Sequence, residues 1–295
     1  MTPPKVAPLP VDTIVGGYRV LRKISSGGFG LVYLAHDSTG QPVAIKEYLP
    51  SALVERAPGE RVPQVPADKL SLYHLGLKNF FEEGRALAQI AHPAVVGVMD
   101  FFRENETVYM VMNYLDGATL QDYVVAARKH YKTHALCEET IRSLFDEILR
   151  GLRVVHQHRM LHLDLKPANI IITEDNRAVM LDFGAARQAL TRDPGFTRPM
   201  YTQGFAAPEM YGRKTPLGPW TDIYAMGACM YSSMTGAPPM DAKARRKKDT
   251  FGDALARLSP HYSAGLLQVV AWTMALDPAA RPQSVFELLK RLSAA

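Results

Sequence analysis

Cysteine is nearly absent. Two thiols, Cys137 and Cys229, stand among 295 residues, and they fit neither a metal-ligand spacing nor a disulfide framework. A stapled secreted scaffold is therefore excluded, and a reducing, cytoplasmic setting is expected. Long apolar runs are missing too: none reaches the roughly 18–20 residues that cross a bilayer. No basic segment followed by an apolar stretch opens the chain, so no secretory signal is expected. Charge of one sign is also scarce. The formal net charge is only +5, and its densest run, residues 243–248 (Lys-Ala-Arg-Arg-Lys-Lys), has no interleaved aromatic. That argues against nucleic acid as a partner and reads as a solvated loop, while an acidic protein substrate stays compatible.

What is present is ordinary for a globular protein: 47% hydrophobic and 21% charged residues. A length of 295 residues exceeds one compact core, so two lobes are expected. Residues 1–13 are proline-rich with few large apolar groups, and read as a disordered lead-in. Three strands are expected at residues 18–24, 31–36 and 42–46, with turns at 25–30 and 38–42. Pro50, Pro58, Pro63 and Pro66 make residues 50–67 an irregular surface insertion. One or two helices follow, from a cap at Asp68 to about Ala91, and two more strands at 95–102 and 107–113. After a linker at 113–117 the pattern turns helical, at 141–157, 222–235, 264–275 and 284–291. The expected architecture is α+β: a sheet-rich lobe over 14–112, then a larger helical lobe over 118–295.

The chemistry concentrates in residues 162–169, His-Leu-Asp-Leu-Lys-Pro-Ala-Asn. Asp164 is placed to accept a hydroxyl proton, Lys166 to hold a phosphate and Asn169 to ligate a divalent cation. Asp182-Phe183-Gly184 follows thirteen residues after Asn169 and adds a metal-seeking carboxylate. Nearer the start, Gly27, Gly28 and Gly30 form a turn that either joins two strands as a plain hairpin or lets backbone N–H groups approach a phosphate. Lys46 ends the apolar run Val43-Ala44-Ile45, as a snorkelling lysine or as half of an ion pair. Glu83 interrupts the stripe Phe80, Leu87, Ile90, and a carboxylate facing a core needs a cation. Lys46 is the expected partner, whereas Glu82 points to water.

Taken in order, these segments resemble a bacterial Hanks-type (eukaryotic-like) serine/threonine protein kinase catalytic domain, over roughly residues 18–292. The resemblance implies a bilobal kinase fold and ATP with Mg²⁺ or Mn²⁺. Ile24, Gly27, Gly28, Gly30 and Val32 would cover the nucleotide. Ala44 and Ile171 would sandwich the adenine, Asn113 and Leu115 would bond its edge through their backbone, and Met112 would limit the pocket. Lys46 and Glu83 would pair, Asp164 would be the base, Lys166 would neutralise the γ-phosphate, and Asn169 and Asp182 would hold metal. Ala207-Pro208-Glu209 resembles the close of the activation loop, with Glu209 bridged to Arg281. Asp222 would hold the backbone of the catalytic loop. Thr191, Thr197 and Thr202 are candidate phosphosites, and Thr202 matches the threonine that contacts Asp164. The partners implied are a protein substrate and the chain itself through autophosphorylation. Glu-Tyr-Leu-Pro after Lys46 is similar to relatives that control type VI secretion through forkhead-associated proteins. Many bacterial members continue into a membrane anchor.

Two positions depart from the family. Leu163 stands where an arginine usually docks a phosphorylated loop residue, so activity is expected not to depend on that phosphate. Lys46 and Glu83 lie 37 residues apart, about twice the family's usual spacing. The insertion between them is either tolerated surface or an element acting on the helix that carries Glu83. A nucleotide-binding pseudokinase and a small-molecule phosphotransferase are the alternative functions. Retention of Lys46, Glu83, Asp164, Asn169 and Asp182 argues against the first, and the Ala-Pro-Glu segment against the second.

Overall fold

The computed structural model describes residues 6–132, 134–183, 201–212 and 214–294. They fall into two compact units: residues 6–91 with 96–114, and residues 92–95 with 115–183 and 201–294.

The first unit is an antiparallel sheet with one long helix. Strands β1 (Ile14–Val15), β2 (Tyr18–Gly27), β3 (Gly30–His36), β4 (Pro42–Tyr48), β5 (Val98–Glu104) and β6 (Thr107–Asn113) stand in the order β1-β2-β3-β4-β6-β5. Directly opposed residues share a face, and neighbours along a strand alternate. Register therefore places Val32, Ala44, Lys46, Met110 and Met112 on one face. Leu31, Tyr33, Ile45, Glu47, Tyr109 and Val111 share the other. Helix α1 (Leu70–Leu87) covers the Lys46 face: Tyr48 packs its ring against Tyr73 and Phe80 on α1, each at 5.6 Å between centroids.

Three expectations for this unit are corrected. The lead-in is not disordered over residues 6–13: Ala7, Leu9 and Thr13 are buried, and Ala7 donates its N–H to the Arg56 carbonyl at 2.9 Å. Prolines there fix an extended strap, and polar partners beneath hold it: Leu9 N–H goes to the Tyr33 hydroxyl and the Ala7 carbonyl accepts from Arg56 Nε. Residues 50–67 are not a purely surface insertion either. Leu53, Val54 and Arg56 are buried, and Glu55 and Gln64 close a small hairpin with paired N–H to carbonyl bonds of 3.0 and 2.8 Å. Finally, α1 is not capped by Asp68. A 3-10 turn at Ala67–Lys69 leads into it, and Lys69 sends its ammonium to the Ala52 carbonyl at 2.9 Å.

The second unit is mainly helical. A small sheet of β7 (Gly117–Thr119), β8 (Ile170–Thr173) and β9 (Ala178–Met180) stands beside α2 (Leu120–Tyr131) and α3 (Glu138–Gln157). Then come α4 (Pro219–Thr235), α5 (Ala242–Lys247), α6 (Phe251–Ala256), α7 (Ala264–Thr273) and α8 (Val285–Ala294). α3 buries Ile141, Phe145, Ile148, Leu152 and Val155, the i, i+4, i+7 stripe that its sequence shows. α2 buries only Leu120 and Val124, a stripe too thin to read from sequence. The basic run at 243–248 is a helix rather than a solvated loop. Its Arg245 is 4% exposed, bonded to Asp249 and to the Met274 carbonyl at 2.9 Å. Buried α4 is the spine of this unit, packing on α3 and α7.

Candidate active site

In the first unit, β2 and β3 meet at Gly27 and Gly30 across the two-residue tip Gly28-Phe29. A Cβ on Gly30 would lie 1.9 Å from the Glu47 carbonyl oxygen, so only glycine lets β3 and β4 close up there. Gly27 has open space around it. The tip carbonyls are held: Leu49 N–H donates to Phe29 O at 2.9 Å and Ser51 N–H to Gly28 O at 3.1 Å. Ile24 is exposed on β2, and Val32 and Ala44 are half-buried on the Lys46 face. Met112 is buried, and Asn113 at the end of β6 donates its N–H to Gly97 O.

Lys46 carries its ammonium 5.3 Å above the Phe80 ring, and Phe80 lies one turn before Glu83 on the same face of α1. Glu83 is 4% exposed while Glu82 is exposed. The lysine and the interrupting carboxylate are thus brought to the same face of α1.

The second unit gathers four of the sequence's candidates. Asp164 accepts from Lys166 Nζ at 3.0 Å, from Asn169 Nδ2 at 2.8 Å and from the Thr202 hydroxyl at 3.2 Å. Pro167 opens a 3-10 turn at Pro167–Asn169 that swings Asn169 back toward Asp164, whose carbonyl also takes the amide at 2.9 Å. With Nδ2 committed twice, Oδ1 of Asn169 is the ligand-grade oxygen of that side chain. Asn169 also accepts from Leu181 N–H at 2.8 Å, which ties it to the segment carrying Asp182. Asp182 sits at φ 63, a left-handed conformation that costs a non-glycine residue about 1–2 kcal/mol and marks a held position. Two oxygen ligands of this kind, an amide and a carboxylate, fit a hard divalent cation that keeps waters and binds phosphate. Leu115 and Ile171 are half-buried in this unit.

Leu163 is left-handed as well, at φ 62. Asp222, fully buried near the start of α4, supplies what holds it there. One carboxylate oxygen accepts from Leu163 N–H at 2.8 Å; the other accepts from His162 N–H and lies against His156 Nε2, both at 2.8 Å. Burial alone would push the Asp222 carboxyl up. The His156 bond and charge, His162 and the Leu163 N–H outweigh that and leave it below the usual carboxylate range. His162 is buried completely, which holds its imidazole below the usual histidine value against the pull of Asp222, Asp164 and Asp182. Phe183 stacks on that imidazole at 4.3 Å between centroids.

Farther along, Arg281 grips Glu209 with two parallel bonds of 2.8 and 3.0 Å. Its remaining N–H groups go to carbonyls of Ala275, Trp220 and Leu276. Thr221 adds a hydroxyl bond to Glu209 at 2.9 Å. His156 and Thr221 escaped the sequence reading. Each is adjacent to a readable feature, the end of the α3 stripe and Asp222, but nothing local distinguishes a buried polar partner from a surface one. Gly184, Thr191 and Thr197 lie outside the described residues.

The sequence matches the protein kinase domain family over residues 18–291. Serine/threonine-protein kinase PknD of Chlamydia felis is 31% identical over 300 residues, covering 92% of this chain and 30% of that protein. Sucrose non-fermenting protein kinase 1 of Fusarium virguliforme is 29% identical, covering 77% of this chain and 29% of that protein. The chain thus spans under a third of these curated relatives. Among solved structures, PpkA-294 in its apo form superposes with a TM-score of 0.83 at 32% identity, covering 97% of this chain and 99% of that one. The Mycobacterium tuberculosis PknI kinase domain, at TM-score 0.69 and 21% identity, shares the fold over 97% of this chain. With an Asp-Lys-Asn cluster on one loop, a lysine–glutamate face behind a glycine turn, and these likenesses over nearly its full length, the chain belongs to the protein kinase domain family.

Proposed function

We propose that this chain transfers the γ-phosphoryl group of ATP to serine and threonine hydroxyls of proteins. The observation that carries the reading is Asp164, whose carboxylate is oriented at once by Lys166, Asn169 and Thr202. A proton acceptor held beside a fixed ammonium suits transfer to a hydroxyl. The acceptor oxygen bonds to the γ-phosphorus as its proton passes to Asp164, and the bond to the β,γ-bridging oxygen breaks to release ADP. Lys166 offsets charge on the transferring group. Asn169 and Asp182 would hold Mg²⁺ or Mn²⁺, which when bound neutralises phosphate charge. In the first unit, Lys46, kept in place by Glu83, would meet the nucleotide's phosphates under the turn Gly27–Gly30. Within that unit, Val32, Ala44 and Met112 on the Lys46 face would line the adenine side with Ile24 and Asn113.

The chlamydial relative is a serine/threonine-protein kinase and the fungal one a protein kinase, which supports a protein hydroxyl as the acceptor class. Cytoplasm is the proposed setting, since the reaction needs ATP; among the described residues no helix is long and apolar enough to cross a membrane. A forkhead-associated protein is the proposed partner, and the chain itself a further acceptor. Incubation with labelled ATP and a generic basic protein tests the reading, beside Asp164→Ala. Wild type should label itself and the added protein, and the variant should fall by at least ~10²-fold. Nucleotide binding without transfer would turn the reading toward a nucleotide-binding scaffold.

A further inference from the structure

The face of the sheet opposite Lys46 holds a fully buried ion pair outside the site described above. Arg56, in the insertion, meets Glu47 of β4 through two bonds, Nη1 to Oε1 at 2.6 Å and Nη2 to Oε2 at 2.8 Å. Both side chains are 0% exposed. Tyr33 donates to Oε2 at 2.7 Å and Tyr109 to Oε1 at 3.0 Å, so the carboxylate is tied to three strands. Of the remaining arginine donors, Nη2 also meets the Tyr33 hydroxyl at 3.0 Å, and the others reach outward. Nε goes to Ala7 O at 2.8 Å and Nη1 also to Arg61 O at 3.2 Å, while Ala7 N–H returns to Arg56 O at 2.9 Å. Leu9 N–H reaches the Tyr33 hydroxyl at 3.1 Å. A strap of residues 6–10 therefore clamps the insertion onto β4.

Glu47 is the residue after Lys46, and their side chains leave β4 on opposite faces. A carboxylate locked on one side fixes the rotation of the strand, and with it the aim of the lysine on the other. The Glu47 carbonyl lies against Gly30, and Leu49 and Ser51, the first and third residues past β4, hold the glycine-turn carbonyls. Near its start the insertion meets the residue that caps α1: the Ala52 carbonyl accepts from Lys69 Nζ at 2.9 Å. Every element of the first unit's candidate site thus touches what Arg56 anchors.

We propose that Arg56, clamped by the N-terminal strap, is a positioning residue for nucleotide binding: through Glu47 it sets the aim of Lys46 and the closure of the glycine turn. The inference rests on the ATP reading above. Two variants test it: Glu47→Gln/Arg56→Met, which removes the charge pair yet leaves an acceptor for the tyrosines, and a chain lacking residues 1–8, which removes the Ala7 bonds to Arg56 and leaves the ion pair. The second keeps the test alive should the first fail to fold. Two measurements are made on each, titration with mant-ATP and Mg²⁺ and amide hydrogen exchange. Expected are a rise in Kd of about fivefold or more and faster exchange over residues 26–31 and 44–47. Exchange in 138–157, in the other unit, should stay as in wild type. Wild-type exchange at 26–31 in the folded variants overturns the proposal, and so does faster exchange with unchanged Kd. If wild type binds no mant-ATP, the ATP reading fails, and the nucleotide role proposed for Arg56 falls with it. The exchange arm still shows whether Arg56 positions the turn.

Discussion

Leu163 shows how a single side chain changes what a site can be asked to do. Its backbone keeps the left-handed conformation, and Asp222 still takes its N–H, so the loop's shape does not depend on the side chain. The cation that would dock a phosphate is what the residue lacks. Thr191→Ala and Thr197→Ala are therefore expected to change turnover by less than about a hundredfold, measured with saturating ATP; a larger drop would sink the idea. Two titrations bear on the same loop, one of His162 within it and one of Asp222, which grips it from α4. His162 has its folded value depressed by burial, so its neutral form contributes stability that is fully present above its unfolded value of about 6.5 and is lost as pH falls through the folded value. Asp222 is also depressed, so its contribution holds above about 3.9 and disappears on further acidification. Melting temperature against pH should decline first below neutrality and again in strong acid. His162→Gln should flatten the first decline and leave the second.

Elements were legible where one face is apolar and the other is not. β3, β4, α3 and α8 follow their stripes to within a few residues, because alternation or the 3.6 period decides burial locally, whereas β6, buried on both faces, reads as a continuous β-rich run. α2 has too few buried positions to announce itself, and α5 looks charged throughout although Arg245 points inward. Burial of a charge depends on a partner from elsewhere, which no local pattern contains. Arg281 and Glu209, a pairing that the family resemblance implied but no local pattern shows, are the clearest case, 72 residues apart and 0% and 1% exposed. Arg281→Met leaves Glu209 buried without its cation and should cost about 3–5 kcal/mol in urea denaturation. Glu209→Met/Arg281→Met should recover most of that, since the uncompensated charge is gone. A single variant as stable as wild type would show that water reaches the carboxylate.

For the whole molecule, the expected consequence of the proposed chemistry is linkage. A nucleotide that binds only the folded chain stabilises it by about 2.7 kcal/mol at a hundred times its Kd. Thermal unfolding with ATP and Mg²⁺ should move upward, and EDTA should remove both the shift and label transfer while leaving the circular dichroism unchanged. A nucleotide shift that persists in EDTA would separate binding from the metal. The sequence by itself determined the family and the α+β class, and it singled out the residues proposed here for transfer. Those rest on short contiguous segments, in which Asp164, Lys166 and Asn169 are close because they are neighbours on one loop. Tertiary structure decided what lies behind them. That Asp222 grips the loop through both His162 and Leu163, that a strap called disordered by its composition is packed, and that Arg56 is buried on Glu47 are all consequences of long-range pairing. Each joins a polar group to a partner many residues away, and burial, which makes such a pairing obligatory, exists only once the chain has folded.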